Sequence, residues 1–168
     1  MTGRIRGILV VLGAVLIGTV LLSCDSGKKI FTKDLADLVE DKREEIGFPA
    51  GEDRANGKKA YTFTAEEKAA LAAALKQDLD DRIYELEGEG LFLKIVYTED
   101  FSILTAYVDP STFHTLYGME VVPFLKTAAA LRILNGEDPD RVDVTLRFWD
   151  ANAEEVQKPQ TYQHLYRE

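Results

Sequence analysis

The chain has two histidines, one cysteine and one tryptophan in 168 residues, so side-chain chemistry must be built from few groups. Asp109, Ser111 and His114 lie within one short stretch, and these three types together would supply the acid, nucleophile and base of a hydrolytic triad. Closeness in sequence is not triad geometry, and His114 is equally accounted for as a half-buried neighbour of Phe113. His164 alternates with Tyr162 and Tyr166, which predicts a final edge strand. Neither histidine has metal-ligand spacing to a carboxylate or to the cysteine. Glu137, Asp138, Asp140 and Asp143 crowd one loop but lack the alternating acids, glycine and distal glutamate of a calcium loop. Residues 51–58 have the look of a phosphate loop, yet five residues separate the glycines instead of four, and Lys59 stands where a hydroxyl belongs. No G-x-S-x-G, H-E-x-x-H, C-x-x-C or G-x-G-x-x-G occurs. No catalytic residue, metal or cofactor is therefore expected.

One constellation has binding chemistry. Val144, Leu146 and Phe148 alternate with Thr145, Arg147 and Trp149, so a strand here buries one set and turns the other away from the core. On a preceding hairpin the corresponding positions away from the core are Phe92, Lys94, Thr105 and Tyr107. Aligned on one sheet face, these six residues (Phe92, Lys94, Thr105, Tyr107, Arg147 and Trp149) interleave aromatic rings with cations. Trp, Tyr and Arg are the side chains that dominate binding hot spots. The alternative is that a first helix, residues 33–46, covers this face and makes a three-layer domain.

The elements that must position these residues are readable in outline. Leu35, Leu38, Val39 and Ile46 share a face of that first helix, and residues 47–59 follow as a glycine- and charge-rich loop. Thr64 and Glu67 form a capping box ahead of Leu71, Leu75, Leu79, Ile83 and Leu86, which predicts the strongest helix over 65–87, ended by Gly88. Two strands follow around Glu99-Asp100. Asp109-Pro110 opens a short helix stopped by Gly118, and a largely apolar helix runs from Val121 to Asn135-Gly136. Strands at 141–150 and beyond the turn at Asp150 complete an α+β domain. The expected sheet is small and antiparallel, about four strands packed by two to three helices.

The amino terminus differs in kind. Arg4 and Arg6 precede an uncharged apolar run over 7–22, slightly short of a bilayer span, which reads as an export signal. Leu21-Leu22-Ser23-Cys24 resembles the lipobox of bacterial lipoproteins, with a branched apolar residue three before the cysteine and a small residue directly before it. That resemblance covers the signal alone. It implies cleavage after residue 23, lipidation and acylation of Cys24, and a protein held on a membrane through that residue; Asp25 in the next position resembles an inner-membrane retention signal. An uncleaved anchor, with its amino terminus in the cytoplasm, is the alternative. The chain then divides into a signal peptide (1–23), a lipidated tether (24–32) and a single domain (33–168). Lysines 28, 29 and 33 would favour anionic headgroups or stand solvated on the tether.

Composition bears on partners. The net charge of −9 becomes −11 once Arg4 and Arg6 leave with the signal, which argues against a nucleic-acid partner, and export argues the same way. The expected function is a non-catalytic, membrane-tethered binding or adaptor lipoprotein of the bacterial envelope, on the outer side of the cell membrane, with a protein or peptide partner. A small hydrolase or enzyme accessory subunit working through His114 and Asp109 is one alternative. A structural subunit that lends a strand edge to a larger complex is another.

Overall fold

Phe31 is fully buried, and the strand that carries it begins inside the stretch read as a tether. The computed structural model describes residues 27–166, and for 115–118 the backbone alone. Strand β1 (Lys28–Phe31) pairs antiparallel with β3 (Lys59–Thr62), whose other edge takes the two-residue β2 (Glu52–Asp53). The loop expected at 47–59 is thus partly ordered as a sheet edge. Helix α1 (Lys33–Glu45) follows β1 and buries Leu35, Ala36, Val39 and Arg43.

Helix α2 (Ala65–Gly88) starts where its capping box says. The Glu67 amide donates to the Thr64 hydroxyl at 3.1 Å, and the Thr64 amide donates to the Glu67 carboxylate at 2.8 Å. Leu71, Leu75, Leu79, Ile83 and Leu86 are all buried, as their spacing requires. Strands β4 (Lys94–Tyr97) and β5 (Ile103–Tyr107) form the expected hairpin. Helix α3 (Thr115–Leu134) then leads to β6 (Thr145–Trp149), β7 (Glu155–Thr161) and the short α4 (Tyr162–Tyr166).

The fold is α+β, with 45% of the described residues helical and 23% in strands. Its second sheet has the order β4-β5-β6-β7 and is mixed rather than antiparallel, because β5 and β6 run parallel. The cause is α3: one long helix between two strands carries the chain back to its starting end, which is what a parallel pair needs. Two helices had been expected there. Instead 110–113 form a turn on the Asp109 carbonyl, and α3 passes Gly118 and Pro123 without a break. Residues 162–166 are a helix and not an edge strand, since the Thr161 hydroxyl accepts from the His164 amide at 3.2 Å and caps it.

The layers follow from alternation. Ile95, Leu104, Ala106, Leu146 and Phe148 are buried on one face of the mixed sheet, against α2 and α3. Helix α1 and the sheet of β1–β3 lie beyond those two helices; α1 packs chiefly on α2, α3 and β1. At one corner α4 ties the layers together. Tyr162, fully buried, donates its hydroxyl to Asp34 and lies 3.3 Å from the Thr32 hydroxyl. Among the described residues no helix is long and apolar enough to cross a membrane.

Candidate site on the open face of the mixed sheet

The second face of the mixed sheet is assembled by register. Lys94, Tyr107, Trp149 and Glu155 stand in one row across the four strands, and Val96, Thr105 and Arg147 form the next. Tyr107 and Trp149 meet edge to face, with ring centroids 6.2 Å apart at 76°. The Arg147 guanidinium lies 5.6 Å from the Trp149 ring centroid. Lys94 is exposed, while Tyr107, Arg147 and Trp149 are half-exposed; Thr105, between the strands' larger side chains, is buried. Among the described residues α1 makes no extensive contact with the mixed sheet, so residues 33–46 do not roof this face; five of the six expected residues stand on it, four of them at least half-exposed.

Phe92 is the exception. It is 2% exposed and belongs to the core. Strict alternation from Lys94 would turn it outward, but β4 begins only at Lys94, and Gly90, with φ of 73°, bends the chain after α2 so that Phe92 swings inward.

Both edges of this sheet are guarded. At β4 the Ile95 amide, which faces away from β5, donates to the Glu87 carboxylate of α2 at 2.6 Å. At β7 the register slips twice, and the first slip leaves Lys158 and Pro159 together opposite Arg147. A strand with bulges and a proline is a poor template for another chain.

The other candidates of the sequence are placed as follows. Asp109 receives the Ser111 hydroxyl at 2.7 Å and the Ser111 amide at 2.9 Å, and these bonds hold its carboxyl below the usual range. His114 is exposed at the start of α3, and His164 is exposed on α4. Asp138 accepts the Asp140 amide, Asp140 pairs with Lys58 at 2.7 Å, and Asp143 accepts the amides of Val144 and Gln163. Among the described residues no three His, Cys, Asp or Glu side chains are grouped to hold a metal. Arg132 crosses a cleft of about 380 Å³ and meets Asp100 and Glu137 at 3.3 Å each. Hydroxyls of Thr98 and Ser102 hold the Asp100 carboxyl at about 2. Cys24 with Leu21, Leu22 and Ser23, and the signal before them, lie outside the described residues.

A second cluster of the same chemistry was not expected from the sequence. Arg43, 2% exposed, sits among three rings, its guanidinium carbon 4.8 Å from the centroid of Phe63, 4.9 Å from Tyr61 and 5.6 Å from Phe48. Its Nε and Nη2 donate to the Pro49 carbonyl at 3.1 and 2.8 Å. Glu40 closes the cluster, accepting from the Tyr61 hydroxyl at 2.7 Å and the Gly51 amide at 3.3 Å, with Lys59 at 3.2 Å. Burial pushes the Glu40 carboxyl up, but these donors outweigh it and hold the group below its ordinary value. Burial and Glu40 raise the Tyr61 hydroxyl. The signal available in the sequence was the alternation of Tyr61 and Phe63 directly before α2.

No protein-family model matches this chain, and neither a curated protein nor a solved structure matches it.

Proposed function

We propose that this chain is a membrane-tethered, non-catalytic lipoprotein of the bacterial envelope, anchored through Cys24, that holds a protein or peptide partner on the open face of the mixed sheet. The observation that carries the reading is the uncovered row of Lys94, Tyr107 and Trp149 with Arg147 beside it. Hot-spot residue types gathered on a sheet face that α1 does not roof are the chemistry of recognition. The layer order supports it. Only residues 25–27 separate Cys24 from β1, a reach of about 14 Å at the usual extended rise. The open face lies on the far side of α2 and α3 from β1, the strand that follows the tether.

The alternatives lose support on particular contacts. Asp109 accepts both the amide and the hydroxyl of Ser111 within its own turn, which favours a turn-forming role for it over the acid of a hydrolase. Edge pairing with a larger complex meets Glu87 at one edge and Pro159 with two register slips at the other.

Two measurements test the proposal. Cys24→Ser should move the chain from the membrane fraction to the soluble one; retention would overturn the anchor and leave an uncleaved helix in its place. A photo-crosslinking side chain at position 107 should form adducts with another protein in native membranes. The same group at exposed Tyr84, on α2, should not. Equal or absent labelling at the two positions would overturn the face.

A further inference from the structure

We infer that the occupant of the open face is an acidic polypeptide segment, its carboxylates on Lys94, Arg147 and Lys158 and an apolar ring against the Tyr107–Trp149 pair. The inference rests on the binding face proposed above and gives that face a partner chemistry. Its basis is charge complementarity in a chain where acids outnumber bases, 29 to 20. Several cations elsewhere meet carboxylates: Lys28 meets Glu52, Lys42 meets Asp78, Lys76 meets Asp80 and Arg82 meets Glu120. Lys94, Arg147 and Lys158 form no ion pair among the described residues, although they stand on three strands of one sheet. Glu155 is the single acid in their register rows. Three bases without an ion pair on one sheet, in a chain with a surplus of acids, make a surface complementary to negative charge.

The aromatic pair narrows the choice of anion. Tyr107 and Trp149 meet edge to face at 76°, so their rings do not make one flat platform on which a sugar ring or base would stack. An apolar side chain can pack against such a pair, and carboxylates on either side reach the flanking cations. Lipid headgroups are the other common polyanion of an envelope, but β1 lies on the opposite side of α2 and α3 from these residues. Because both sheet edges are guarded, the segment lies across the strands and its side chains make the contacts.

Trp149 is the only tryptophan, so its emission reports this face alone. The test uses the full chain in phosphatidylcholine vesicles, titrated with a dodecapeptide that alternates glutamate with phenylalanine and proline. A lysine-for-glutamate counterpart and phosphatidylglycerol vesicles are run in parallel. The acidic peptide should shift the emission saturably, and the lysine peptide should not. Raising the salt to about 1 M, where screening reaches only about 3 Å, should weaken binding about tenfold. The double variant Lys94→Glu, Arg147→Glu should weaken it at least about tenfold, as reversed charges repel. Its unfolding midpoint should stay near the parent's; if it falls, Lys94→Gln with Arg147→Gln replaces it, with a smaller loss expected. Equal response to both peptides, unchanged binding by a folded variant, or a response to phosphatidylglycerol alone would overturn the inference. Crosslinks from position 107 to a partner segment without acidic residues would overturn the acidic chemistry and leave the binding face standing, whereas no crosslink would remove both.

Discussion

Arg43 and Arg147 use the same chemistry in opposite settings. Each guanidinium lies within 6 Å of aromatic ring centroids. Arg43 is roofed by three rings and the Pro49 carbonyl, and its surroundings come from α1, the 46–51 segment and β3. Among the described residues Arg147 has one ring, no carbonyl partner and an open side. A cation–π contact that is desolvated reaches about 2 kcal/mol, whereas an exposed one contributes about 0.5–1 kcal/mol. In the first region the fold itself uses the attraction to close a loop. In the second most of it is left for something outside the chain. Aromatic–cation pairing is therefore not a sign of a binding site by itself; what separates the two is whether the fold supplies the rest of the cage.

That contrast predicts a large stability effect at Arg43. Arg43→Ala removes three ring contacts, opens a cavity in the core layer and leaves the Pro49 carbonyl without its two donors. The expected loss is about 3 kcal/mol, read from urea unfolding. Arg43→Met sharpens the point. A buried cation with no carboxylate partner carries its desolvation cost, so a slim apolar replacement should be milder, about 1–2 kcal/mol. If both variants unfold like the parent, the cage is not structural and the comparison collapses.

Gly51→Ala should come next. A Cβ on Gly51 would lie 2.4 Å from Cε1 of Tyr61, the central ring of the cage, which sits between Phe31 and Phe63. Because Tyr61 is packed on both sides, it cannot swing clear cheaply, and about 1–3 kcal/mol of overpacking is expected. Near-ultraviolet circular dichroism of the tyrosines, together with the unfolding midpoint, would register the displaced ring. An unchanged midpoint would mean that the loop yields instead of the ring.

Glu40 gives the buried region a pH dependence. Its carboxyl titrates below the ordinary 4.5 in the folded state, since the gains from Tyr61, Lys59 and Gly51 exceed the cost of burial. A depressed folded value means stability that is present above about pH 4.5 and lost as pH falls through the folded value. Glu40→Gln should therefore cost about 1 kcal/mol at pH 7, and the gap to the parent should close as the pH is lowered past 4. A gap that stays constant with pH would show that the side chain's shape, not its charge, supports Tyr61.

The two regions also differ in how far the sequence disclosed them. Which residues share the second face followed from alternation, because Arg147 and Trp149 sit inside a strand whose apolar partners Leu146 and Phe148 define the core side; whether a helix covered that face did not. Alternation failed at Phe92 because the strand had not yet begun there. The Arg43 cage joins residues 43, 48, 61 and 63 through a loop and a strand pairing, and no local period links them. Helix α2 was legible from its capping box and apolar spacing. Strand β1 was not, because two of its four residues are lysines and its partner β3 lies about thirty residues away. The parallel pairing of β5 with β6 depends on the path of α3, which passes Pro123 and Gly118 where local signals placed a boundary. Helix α4 left a signal in Thr161, whose cap outweighs the alternation of Tyr162, His164 and Tyr166.

Trp149→Ala should have the smallest effect on stability, and here the comparison is most exposed to refutation. Trp149 touches Tyr107 edge to face and lies under Arg147, but both neighbours belong to the same uncovered surface and not to the core. Losing one such aromatic pair is worth about 0.5–1.5 kcal/mol, and the half-exposed position puts the expectation at the lower end, about 0.5 kcal/mol. The same substitution should remove most of the crosslinking yield from position 107, since a hot-spot side chain loses binding far out of proportion to its part in folding. Folding and binding are thus predicted to separate at Trp149 and to fail together at Arg43. A loss at Trp149 as large as that at Arg43 would mean that the fold needs this ring as a structural cap and that nothing outside the chain is waiting for it.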